Sequence, residues 1–183
     1  PKYQTDYKPM VDFAVSKDLP VVAANVPRPF ASEVSKTGFA ALSTKTDAEK
    51  KWFAADLQCP TGDDEYYRKF LEAMGTHPDA SADRFYFAQC VKDETMAESI
   101  AQAHAVGSIG GKRPLVVHIN GAFHCDFHYG TVSRAQRRLP GRAGRLRGRQ
   151  RQRHRPRSAR VHPAASDAGR RRRSRRRGLA AWA

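Results

Sequence analysis

From Arg134 onward the chain changes composition so sharply that one folding rule cannot cover its whole length. Residues 1 to 133 carry 14 Lys and Arg against 17 Asp and Glu, a net charge of −3. Residues 134 to 183 carry 19 Arg, no Lys and one acid, Asp167, a net charge of +18. The overall charge of +15 and the pI near 10.3 are therefore set by the last fifty residues. Such a stretch has little to bury and repels itself, so it is expected to stay disordered. Two readings fit it. Arg, Ala, Gly and Pro are the residues that G/C-rich codons specify, so a shifted reading frame in a GC-rich gene yields this composition. An Arg-rich arm that binds nucleic acid through its phosphates, by counterion release, is the other reading. The expected division is a partial folded domain at 1–141 and a disordered basic tail at 142–183.

The folded part is long enough for one modest core. It opens without a signal peptide or an apolar run of membrane-spanning length. Cys59, Cys90 and Cys125 are odd in number and widely spaced, which argues against a disulfide framework. No CxxC or CxxCH occurs, so neither a zinc ribbon nor covalent c-type haem attachment is indicated.

Apolar periodicity predicts helices over 6–16, 31–36, 46–54, 64–74 and 82–105, with a basic helix starting after Gly130. In the fourth of these, Tyr67, Phe70, Leu71 and Met74 form the buried stripe. Two short apolar runs, Val21–Ala24 and Leu115–Ile119, read as strands covered on both faces. Strand, helices, strand is the pattern of an α/β fold, a parallel sheet flanked by helices.

In such sheets ligands bind beyond the carboxyl ends of the strands. Asn25 follows the first run; His118, Asn120 and His124 lie along or after the second. His118 shares a strand face with Val116 and Asn120. His118, His124, Cys125 and His128 place four imidazole or thiol groups within eleven residues, which favours a metal or haem role, although their spacing matches no closed zinc site. On the long helix, Gln89, Asp93, Met96, Ile100 and Ala103 share one face. Burying an amide and a carboxylate costs several kcal/mol, on the order-of-magnitude scale, unless partners satisfy them. Gln89 and Asp93 either satisfy loop backbone or face the same pocket as the histidine-rich loop. Asn25 and Arg28, in NVPR, either line that pocket or serve a turn held by Pro27.

Three segments resemble the ChaN-like haem-binding uptake proteins of the Tiki superfamily: YQTDYKPMVDFAVSKDLPVVAANVPRPF, FYFAQCVKDETMAESIAQA and PLVVHINGAFHCDFHYGTVSRAQRRLPG. Their order covers most of residues 3 to 141. The resemblance implies an α/β fold with a pocket for haem or a metal. Gly121 and His124 fill the family's Gly-x-x-His motif, Gln89 and Asp93 its helix motif, and Asn25 and Arg28 its NvPR turn. His118 and Asn120 are neighbours assigned by position. His124 or His128 could supply an axial imidazole or a metal ligand. The family also has an earlier Gly-Glu-x-His motif and an acidic segment, upstream of what matches Pro1, and a hydrophobic strand where the Arg-only stretch begins. None of these is present, so half the expected polar cluster is missing and a non-functional fragment is one expectation. Three functions follow, in order: a haem or iron binder for uptake, a metal-dependent hydrolase using a divalent ion, and non-specific nucleic-acid binding through the tail. The resemblance further suggests an exported or lipid-anchored bacterial protein and admits a homodimer.

Overall fold

A computed structural model describes residues 2–106 and 114–140. Contacts divide the chain into Pro1–Arg151 and Gln152–Ala183, and every described residue lies in the first unit. The tail expected at 142–183 lies outside the described residues.

Among the described residues seven α-helices run in chain order: α1 (Tyr3–Asp6), α2 (Lys8–Ser16), α3 (Arg28–Thr37), α4 (Ala40–Ser43), α5 (Glu65–Met74), α6 (Ala80–Val106) and α7 (Thr131–Arg138). Short 3-10 turns occupy Glu49–Trp52, Ala122–His124 and Asp126–His128. The helix expected over 46–54 is thus reduced to one tight turn. Those expected at 64–74 and 82–105 are α5 and α6 to within two residues, and the ends of α5 are chemically marked. Asp64 caps α5 by accepting from the backbone N of Tyr67 at 2.9 Å. Gly75 ends it in the left-handed conformation.

The long helix α6 is the central post. One side packs Tyr86 and Cys90 against Tyr66, Tyr67, Phe70 and Leu71 of α5, with Phe123 and Tyr129 joining from the later loop. The ring centroids of Tyr67 and Phe70 lie 4.9 and 5.6 Å from that of Tyr86. The other side packs Ala88 and Val91 against Val26, Ala31, Val34 and Leu42. Met74, expected in the buried stripe of α5, is exposed, and Tyr66 is buried instead.

The expected parallel sheet is not there. Among the described residues there is no strand, and the fold is helical. Val21–Ala24 and Leu115–Ile119 run outside any ladder. Ser99 Oγ donates to the Ala24 carbonyl at 3.2 Å, the one hydrogen bond tying either run to another described residue. A strand is a pairwise object: β-rich composition makes a run able to pair, but a neighbour at ladder distance must exist. Among the described residues neither run is paired in a ladder, and their apolar side chains stay open, Leu115 at 89%, Val117 at 73% and Val22 at 56% exposure.

Cys59 and Cys90 are disulfide-bonded, with Cα atoms 5.8 Å apart, and Cys125 is free. The expectation against a disulfide therefore fails. Spacing along the chain says nothing of how the loop before α5 folds back onto α6.

Candidate functional site

A cleft of about 900 Å³ is walled by α2 and by the two extended runs, with Met96 of α6 also on its lining. Met10, Phe13, Val21, Val22, Leu115 and Val117 make its surface apolar, and among the described residues no Asp, Glu, Lys or Arg lines it. Its polar groups come from Tyr7, Asn25, His118, Asn120 and His124, with Gly121 beside them.

Behind His124 stands a hydrogen-bonded set built on α6. Asp93 is fully buried. Its Oδ2 accepts from Tyr66 Oη at 2.6 Å, and its Oδ1 accepts from Thr131 Oγ1 at 2.7 Å. The same Oδ1 lies 2.8 Å from His124 Nδ1. With a carboxylate accepting there, Nδ1 carries the proton and Nε2 keeps its lone pair. The Gln89 amide nitrogen sits beside the ring, 3.1 Å from Nδ1 and 3.5 Å from Nε2, and also donates to Tyr66 Oη at 3.4 Å. Burial, then the neighbouring Asp93 charge, pushes the Tyr66 phenol far above its ordinary value, so it stays a donor.

Local chain geometry puts His124 there. Phe123 inserts between Tyr66 and Phe70, with centroids at 5.4 and 6.2 Å, anchoring the turn that carries the histidine. Gly130 closes the loop at φ +56, where a Cβ would lie 2.6 Å from the His124 carbonyl oxygen and 3.1 Å from Asp93 Oδ1. Only glycine fits so close an approach.

His118 reaches the same cleft. Its Nε2 is buried and has no hydrogen-bond partner among the described residues. Burial foremost, and then His124, holds its pKa below the ordinary imidazole value. The neutral form of the ring is thereby favoured.

A model of the haem-binding uptake family (Tiki superfamily, ChaN) matches residues 1–135. The chain belongs to that family. Comparison with curated proteins and with solved structures finds no match.

This ChaN-type chain gathers most of the residues its motifs pointed to. Asn25, His118, Asn120, Gly121 and His124 line one cleft, while Gln89 and Asp93 stand behind it. Arg28 is the exposed first residue of α3 and does not line the cleft. His128 is exposed at a loop tip with φ +62 and is likewise off the lining. Among the described residues no three His, Cys, Asp or Glu side chains are grouped to hold a metal ion. Sequence reasoning missed Tyr66 and Thr131, because a hydroxyl that partners a buried carboxylate from another helix leaves no periodic trace. It also missed Glu94 and its arginine partners, since Arg134, Arg137 and Arg138 looked like the start of the basic tail.

Proposed function

We propose that this chain binds haem in the apolar cleft, where the His124 imidazole would hold the iron, and so handles haem or iron for uptake. The observation that carries this reading is the Asp93–His124 pair at the wall of an uncharged, apolar cleft. A carboxylate on Nδ1 fixes the tautomer and the ring orientation and leaves Nε2 for a ligand, the arrangement that favours an imidazole ligand. The residues present fit the group. The cleft volume lies within the usual range of roughly 300–1,000 Å³ for cofactor pockets. The orphaned Nε2 of His118 is a second nitrogen that a bound iron or a polar haem edge would satisfy. Bound haem would supply an iron centre, and the chain's part is to hold and orient it.

The Cys59–Cys90 bond supports folding in an oxidising compartment, in keeping with an exported protein. Counting free thiols by alkylation of protein from the native host tests this: one reactive thiol is expected, and three would refute it.

Hemin titration of the full chain tests the ligand. A saturable Soret shift is expected, weakened roughly tenfold or more in His124→Ala. A titration with no saturable shift would end the haem reading, and an unchanged H124A variant would remove His124 from the role.

A further inference from the structure

Two consecutive carboxylates, Asp93 and Glu94, are both fully buried on α6. An arrangement so costly persists only where each charge is matched. They point to different sides of the helix, and α7 meets both. Thr131, its first residue, donates to Asp93. Further along the same helix, Arg137 Nη2 lies 3.0 and 2.8 Å from the two Glu94 oxygens, and Arg138 Nη1 lies 2.5 Å from Oε2. Arg134 Nε lies 3.1 Å from Oε1, an ion pair whose N–H is not aimed at the oxygen. Arg134 also turns back, donating from Nη1 to the Gly130 carbonyl at 3.1 Å, and its guanidinium stacks 5.1 Å above the Tyr66 ring.

We infer that Glu94, acting through Arg134 and Arg137, is a positioning residue that sets the orientation of the His124 imidazole, although none of the three lines the cleft. The helix α7 is pinned at both ends to neighbouring residues of α6. Sliding it by one residue moves it about 1.5 Å. That displacement breaks the 2.7 Å bond from Thr131 to Asp93 and shifts Gly130, which packs directly on the His124 backbone. Leaving Glu94 buried without its arginines is the cost that prevents the slide. Arg134 adds a second link, because Tyr66 is the other hydroxyl that Asp93 holds. The consequence for ligand affinity rests on the haem reading above, whereas the consequence for the imidazole does not.

The test uses the full chain and two readouts: the nitrogen chemical shifts of His124 without hemin, and hemin affinity. The parent should show a single neutral Nδ1–H tautomer. Arg137→Ala leaves Arg134 and Arg138 on Glu94, and Glu94→Gln removes the charge that all three share. Both should move His124 toward mixed tautomers and weaken hemin binding roughly ten- to a hundredfold, with Arg137→Lys restoring part of each. Val34→Ala, in the core on the other side of α6, controls for lost stability and should leave the His124 shifts unchanged. Parental His124 shifts in Arg137→Ala would overturn the inference, as would an equal change in Val34→Ala. If Glu94→Gln does not fold, Arg137→Ala and its lysine rescue decide. Altered shifts in a chain that never binds hemin would leave this inference standing and sink the haem reading; His124-dependent hemin binding with unaltered shifts would do the reverse.

Discussion

His118 is a half-buried base whose Nε2 is enclosed. Its pKa is held below the ordinary 6.5, by burial first and by His124 second, with Asp93 opposing. The unfolded chain therefore binds the proton more readily than the folded one. Stability from this group is complete above pH 6.5 and is lost as pH falls below it. Urea unfolding between pH 7 and pH 5 should show that loss, and His118→Gln should flatten the slope. A slope unchanged by the substitution would show that the titrating group is elsewhere. Gly130 is the other sensitive point. Its positive φ and the 2.6 Å approach to the His124 carbonyl leave no room for a methyl group. Gly130→Ala is expected to cost about 1–3 kcal/mol in thermal or urea unfolding and to weaken hemin binding as well. Neither point was legible beforehand. The sequence marks a histidine and a glycine, but only the packing around them says which nitrogen is orphaned and which Cβ would collide.

At the scale of elements, the ends of α5 were readable because capping chemistry is local. Asp64→Ala should cost about 1 kcal/mol, measured by urea unfolding, by freeing the N–H of Tyr67. The Cys59–Cys90 bond is the opposite case, since it joins a loop to a helix 31 residues away. Closing a loop of that length stabilises by about 3–4 kcal/mol on the chain-entropy estimate. Cys59→Ala should lower the unfolding midpoint accordingly, and an unchanged midpoint would show that the bond constrains little. The helix α7 straddles the compositional break. Its arginines belong to the general basic run by count, yet three of them neutralise Glu94 in the folded unit. A charge tally cannot separate arginines that pair with a buried acid from those that do not, because pairing is decided by a residue some forty positions earlier.

Across the whole molecule, α6 divides two cores and carries the site on the same stretch that both cores bury. Hydrogen exchange should follow that layout, with amides of Val91–Ala97 the slowest. Amides of residues 21–24 and 115–119 should be among the fastest, because no ladder protects them. Slow exchange in 115–119 would mean that a pairing strand covers this run in solution. The apolar faces of those runs, left open in the absence of a sheet, are the walls of the cleft. The same feature that defeats the α/β expectation thus makes the pocket.

The sequence by itself determined the helix-forming segments of α5 and α6, the compositional break and the motif residues of the family, since each depends on contacts or patterns a few residues long. It also named Gln89, Asp93, His118, Asn120 and His124 of the polar cluster, but not Tyr66 or Thr131. Tertiary structure alone decided that the two β-prone runs pair with none of the described residues, that Cys59 meets Cys90, and that Asp93 and Glu94 face different tasks. Pairing, bonding and charge matching join residues dozens of positions apart, and separation along a chain carries no information about which of them meet.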